Sequence, residues 1–82
     1  MKSFADPAAD FVPACRCIFG EARVLDGARA VLVDDLKLAL EAGERELWLI
    51  RMRGPLEHRV GMVEVKGDIE LALREAKERL RG

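Results

Sequence analysis

The stretch from Glu46 to Lys66 constrains the fold more than any other part of the chain. Glu46 to Arg53 alternates, with Trp48, Ile50 and Met52 on one side and Leu47, Leu49, Arg51 and Arg53 on the other. A period of two is what a half-buried strand requires. Arg53-Gly54-Pro55-Leu56 then reads as a turn. His58 to Lys66 alternates again, Gly61, Val63 and Val65 against Val60, Met62, Glu64 and Lys66. Two alternating runs about a Gly-Pro turn predict a β-hairpin.

Gly67-Asp68 closes the second run and opens a helix, with Asp68 as N-cap. Ile69, Ala72, Leu73, Ala76 and Leu80 fall on one helical face. Glu70–Arg74 and Glu75–Arg79 have the i,i+4 spacing and the acid-first order of stabilising ion pairs.

The N-terminal half is less regular. Residues 1–11 hold Pro7, two Asp and short Ala pairs with no sustained period, and read as a flexible arm from which Phe4 or Phe11 docks on a domain spanning 12–82. Val12 to Val24 is apolar, opened by Pro13 and interrupted by Gly20. Its Cys, Ile and Phe residues favour a strand at about 14–19 and a second near 22–25, with Leu25-Asp26-Gly27 as a turn. Ala28 to Gly43 admits two readings. Ala28, Val31, Leu32, Leu36, Ala39 and Leu40 share one helical face, ending on a Gly43 cap, and this long helix is the favoured one. The other makes Ala30-Val31-Leu32-Val33 a strand and has Asp34 cap a two-turn helix. Asp35 to Leu40 also matches Asp68 to Leu73, a likeness that amphipathic composition alone produces, but one that two strand–helix units would share. The fold class is α+β: a small antiparallel sheet with two helices on one face, a ferredoxin-like sandwich.

Composition narrows function by what it lacks. Among 82 residues there is no Asn, Gln, Thr or Tyr; Ser3 is the only aliphatic hydroxyl and His58 the only imidazole. Such a chain buries roughly 60% of its unfolded surface, one modest core. With 50% hydrophobic and 35% charged residues and a net charge of −1, it is neither a disordered tail nor a polycation. Two cysteines, Cys15 and Cys17, are too few for a disulfide scaffold and too close to bridge each other without strain. No apolar run approaches the ~20 residues of a membrane span, and no secretory signal opens the chain. The expectation is a cytoplasmic protein with no membrane partner. Many Glu and Arg beside absent amides fit a thermophile-like composition, as does codon bias in a GC-rich genome.

Catalysis finds no support. Ser3 has no partner in view, and His58 is distant in sequence from either cysteine. One C-x-C with one His does not supply four zinc ligands. Asp34 and Asp35 point apart, and no glycine-rich phosphate loop occurs. The chain is expected to be no enzyme and to need no metal or cofactor.

Contact is what remains. Two helices cover one face of the sheet, and register decides whether the hairpin's other face presents Trp48, Ile50, Met52, Val63 and Val65 or Leu47, Leu49, Val60 and Met62. The first set is the more apolar; the second, mixed with Arg51, Arg53, Glu64 and Lys66, is the expected interface. An apolar centre in a charged rim is the composition of an oligomer interface, so a homo-oligomer is expected. Arg51, Arg53, His58 and Arg59 gather at one end of the hairpin, with Arg16 and Arg23 alongside, a set suited to a small anionic ligand. RNA is the weaker alternative: Trp48 is the only hairpin aromatic, and a net charge of −1 gives no general attraction to phosphate.

From Gly27 onward the order helix, strand, Gly-centred turn, strand and G-D-I helix resembles the bacterial microcompartment shell domain. Gly27-Ala28-Arg29-Ala30-Val31-Leu32 is similar to the opening of its first helix, Leu47-Trp48-Leu49-Ile50 to its second strand, and Arg59-Val60 through Val65-Lys66-Gly67-Asp68-Ile69 to its third strand and second helix. Phe11-Val12-Pro13 resembles the N-terminal strand of the circularly permuted form. The resemblance implies flat cyclic hexamers that tile into a layer, with Gly54, Pro55 and Leu56 lining a central pore. Lys37 lies about a turn earlier than the lysine that the family carries near the end of that first helix.

Overall fold

The computed structural model describes residues 7–81; Ser3, Phe4 and the rest of residues 1–6 lie outside them. The elements run α1 (Pro7–Phe19), β1 (Arg23–Leu25), a 3-10 turn (Asp26–Ala28), β2 (Ala30–Val33), β3 (Leu36–Glu41), β4 (Glu46–Arg53), β5 (Leu56–Glu64) and α2 (Ile69–Arg81). The strands form one antiparallel sheet in the order β1-β2-β3-β4-β5. This is the expected α+β layering, a small antiparallel sheet with both helices on one face. Its connectivity is a plain meander between two terminal helices.

Two segments differ from the sequence reading. Residues 7–11 are no arm, and 14–19 is no strand: both belong to α1. Phe11, Cys15, Ile18 and Phe19 recur at i, i+4, i+7 and i+8, and Phe11 and Cys15 are fully buried against the sheet. That burial outweighs Pro13, which lies inside the helix and faces solvent. Gly20, at φ +96°, ends the helix by donating its N–H to Arg16 O at 3.1 Å.

The second difference is that residues 28–43 form no long helix. Ala30–Val33 is a strand, as the alternative reading has it, but Asp34-Asp35 caps no helix; it is the two-residue turn into β3. Asp34 sits at φ +55°, a conformation that Asp tolerates better than most residues. Leu36, Leu38 and Leu40 then alternate inward with period two. The Gly27–Leu32 segment is accordingly a left-handed turn followed by β2, where the shell-domain pattern has a helix.

One core lies between the layers. Val31, Leu36, Leu38, Leu40, Leu47, Leu49, Val63 and Val65 on the sheet meet Phe11 and Cys15 of α1 and Ile69, Ala72, Leu73 and Ala76 of α2. Among the described residues no polar or charged side chain is buried. Asp68 caps α2 as expected, its Oδ1 accepting the Glu70 N–H at 3.0 Å. Side-chain donors then tie the ends together. Lys77 Nζ donates to Ile18 O at 2.9 Å, supplying an orphan carbonyl at the end of α1, and Arg79 donates to Met62 O on β5 at 2.9 Å.

Candidate interaction surface

The β4–β5 hairpin turns on Gly54-Pro55, with Arg53 paired to Leu56. Gly54 has φ +60° and Pro55 cannot follow it into positive φ, so the loop is a type II′ turn, whose twist matches the flanking strands. From the turn the register runs Met52–Glu57, Arg51–His58 and Ile50–Arg59, then skips Val60 and resumes at Leu49–Gly61, Trp48–Met62 and Leu47–Val63. Val60 is therefore the extra residue of a β-bulge.

The bulge decides which residues share a face, because one added residue inverts the alternation beyond it. It breaks up the expected interface of Leu47, Leu49, Val60 and Met62. Leu47 and Leu49 lie in the core beneath the helices and are unavailable as a contact. Met62 pairs with Trp48 on the opposite, helix-free face. Val60 alone of the four is exposed, at 53%.

Plain strand alternation divides the basic cluster. Arg51, Arg53, His58 and Val60 surround one shallow concavity on the helix side of the tip, beyond the end of the helical layer. Arg59 stands on the other face. Within the concavity Arg51 is already engaged, its guanidinium 2.8 Å from Asp35 Oδ1; Arg53 and His58 have no ion-pair partner among the described residues. Arg16 and Arg23 lie together elsewhere, beside Gly20 and Leu32 at the far edge of the sheet.

The helix-free face is ordered in rows. Leu25, Ala30, Ala39, Trp48 and Met62 are successive cross-strand partners and make an apolar line over all five strands. Glu41, Glu46 and Glu64 form an acidic row on one side of it; Arg23, Leu32, Lys37, Ile50 and Arg59 form a mixed row on the other. Long side chains roof this surface. Arg59 lies over the Trp48 ring and bonds Glu41 at 3.1 Å, and Lys37 reaches Glu57 at 3.3 Å. Ile50, which no helix covers, is 1% exposed. The face is not the open apolar patch that its sequence pattern alone predicts.

What stays open is the outer edge of β5. Residues 56–60 are all exposed, and Leu56 at 61% and Val60 at 53% are among the most exposed large apolar side chains described. Leu56 shares the helix side with His58 by strand alternation. Gly54, Pro55 and Leu56 form the exposed tip itself. Nothing in the sequence alone marks Val60 as a bulge, so its separation from Met62 is not legible there.

Among the described residues no three His, Cys, Asp or Glu side chains stand close enough to hold a metal ion. Cys15 is buried and its thiol is pushed up to about 12 by desolvation, whereas Cys17, two positions on along the helix, is exposed. No described helix is long and apolar enough to cross a membrane. No family model matches the chain, and no curated protein or solved structure matches it either.

Proposed function

We propose that the chain is a non-catalytic, self-associating structural module whose contact lies at the β5 edge of the hairpin tip. The observation that carries this reading is the contrast between two surfaces. The broad helix-free face is closed by its own ion pairs, while the β5 edge keeps Leu56 and Val60 in solvent on a strand with no neighbouring strand on that side among the described residues. An unpaired edge strand is a template for another strand, and exposed apolar residues on it supply the driving force. The segment is short beside the ~800 Å² per partner of a standard stable interface, so association is expected to depend on concentration. Light scattering after size exclusion at two protein and two salt concentrations tests it. The expected result is a mass rising with concentration and a Val60→Glu variant that stays at one chain. A wild-type mass of one chain throughout removes the proposal. A closed ring near six chains supports the hexamer that the shell-domain resemblance implies.

A second reading is a small regulatory domain that binds an anion at Arg51, Arg53 and His58. Convergence of these three on one concavity favours it; prior engagement of Arg51 by Asp35 weighs against it. Thermal shift against phosphate and carboxylate metabolites, compared with Arg53→Ala, tests it, and an identical flat response in both removes it. RNA has less in its favour. The Trp48 ring already carries Arg59 on one face, its indole N–H is taken by Glu46, and the acidic row lies beside it.

A further inference from the structure

Resting on the self-association reading, we infer that β5 pairs antiparallel with β5 of a second copy about a twofold axis through His58. The backbone supplies the first argument. Met52 donates its N–H to Asp35 O at 2.7 Å, toward β3. Met52 is the cross-strand partner of Glu57, so this is a non-hydrogen-bonded pair, and the N–H and C=O of Glu57 point to the free edge. Arg59, two residues on, points the same way. Leu56, across the two-residue turn from Arg53, and His58, opposite Arg51, turn theirs inward to β4. A second strand therefore finds its hydrogen-bonding groups at Glu57 and Arg59.

The side chains supply the second argument. Read about His58, the run Leu56-Glu57-His58-Arg59-Val60 is self-complementary. Glu57 meets Arg59 of the second copy, Leu56 meets its Val60, and His58 meets its own equivalent. Isologous contacts about a twofold require this kind of pattern. The neighbouring registers that keep the same hydrogen-bonding groups aligned place Glu57 on Glu57 or Arg59 on Arg59, like charges directly opposite. Glu57 already pairs with Lys37, and Arg59 with Glu41. The dimer thus strings Lys37, Glu57, Arg59 of the second copy and its Glu41 into a line of alternating sign, twice over. Val60 stands beside His58 on the helix side of the tip, where it closes the apolar pair with Leu56.

The third argument is that the paired segment has natural ends. Pro55 has no N–H to extend it past the turn, and Arg79 occupies the Met62 carbonyl at the other end. Residues 56–60 are the part of this edge left open.

The axis residue of such a pair must cross-link to itself. In a non-hydrogen-bonded antiparallel pair the Cα atoms are about 4.5 Å apart, inside the disulfide range, whereas residues two places off register are about 7–8 Å apart and outside it. The test uses the full chain with Cys17→Ser, leaving buried Cys15 in place, and adds His58→Cys, Glu57→Cys or Arg59→Cys at exposed positions. Under mild oxidation His58→Cys alone is expected to give a covalent dimer, about tenfold faster than Glu57→Cys or Arg59→Cys alone. Mixing the latter two is expected to restore cross-linking. Light scattering of the Cys17→Ser parent runs in parallel. A multimeric parent in which His58→Cys stays unlinked overturns the register and leaves self-association standing. A monomeric parent with no cross-link at any position overturns both.

Discussion

The guanidinium carbon of Arg59 lies 4.7 Å from the centroid of the Trp48 ring. The two side chains also hold acids from adjacent strands: Arg59 reaches Glu41 at 3.1 Å, and the Trp48 indole N–H donates to Glu46 Oε1 at 3.0 Å. Glu41 and Glu46 are direct cross-strand partners, a like-charge pairing that costs stability unless each carboxylate is occupied. Arg59 thus joins three jobs on one side chain: it stacks on Trp48, neutralises Glu41 and helps to roof Ile50. A half-exposed cation–π contact contributes about 0.5–1 kcal/mol. Arg59→Ala is therefore expected to lower stability by about 1 kcal/mol, read as a shifted urea midpoint in dilute protein, with a red shift of Trp48 emission. Arg59→Lys keeps the charge but loses the flat stacking surface, and is expected to fall between the two. A midpoint unmoved by Arg59→Ala would show that the stack contributes nothing.

Val60 yields a sharper prediction because its removal leaves every cross-strand pair on both sides intact. With Val60 deleted, Arg59 still faces Ile50 and Gly61 still faces Leu49. The ladder loses only its unpaired residue, and the expected stability lies within about 1 kcal/mol of the parent. Deleting Met62 instead pulls Val63 out of the core onto the helix-free face, reversing the alternation from there to Val65. That variant is expected not to fold. Circular dichroism and urea midpoints of the two single deletions, two positions apart, separate a bulge from an ordinary strand position. Equal damage from both would contradict the register.

The hairpin turn, α2 with its Asp68 cap, and the inward stripe of α2 are all legible in the sequence, because each has a local signal that nothing competes with. The N-terminal half is not, and the reasons differ from place to place. In α1, Pro13 and a run of Cys, Ile and Phe suggest a strand, while the Phe11–Cys15–Ile18 spacing carries the true period; tertiary burial overrides local propensity there. In residues 30–41, Leu36 and Leu40 suit a helical face as well as an alternating strand. The decision rests on Leu38, which is buried, and on Asp34-Asp35 acting as a turn. At the candidate site the face of β4 that meets the helices takes Leu47 and Leu49 into the core, alternation parts Arg59 from Arg51, Arg53 and His58, and a single unpaired residue sets Val60 on the other face from Met62. A bulge leaves no mark in an alternating pattern when the extra residue is itself a valine.

Pro13 marks a place where the chain gives up local stability. It lies six residues into α1, faces solvent and lacks the N–H that would bond to the Ala9 carbonyl. Proline inside a helix costs about 3 kcal/mol, offset in part by the stiffness that it lends the unfolded chain, roughly 0.4–1 kcal/mol. Pro13→Ala is expected to raise stability by about 2 kcal/mol, seen as a higher urea midpoint at unchanged slope. A loss of stability would mean that the bend at Pro13 is what seats Phe11 and Cys15 together against the sheet.

Cys15 links core packing to pH. Burial pushes its thiol up to about 12 from an ordinary value of 9.0, because the thiolate has no solvent and no cation to stabilise it. Below pH 9 the thiol is protonated in both folded and unfolded chains, and its contribution is independent of pH. Above pH 9 the unfolded chain releases the proton and the folded chain does not, so unfolding becomes progressively easier until about pH 12. Cys15→Ala removes this dependence at the cost of a small void. The variant is expected to be less stable than the parent at pH 8, by about 1 kcal/mol, and to close that gap as pH rises through 10. Urea midpoints of both chains at pH 8, 9.5 and 10.5 check it; Cys17 is exposed and common to both, and cancels in the difference. Thiol labelling gives an independent reading at neutral pH, where one fast-reacting cysteine per folded chain is expected and the second appears only at the rate of unfolding. Two fast thiols, or a gap between the chains that is constant with pH, would place Cys15 within reach of solvent.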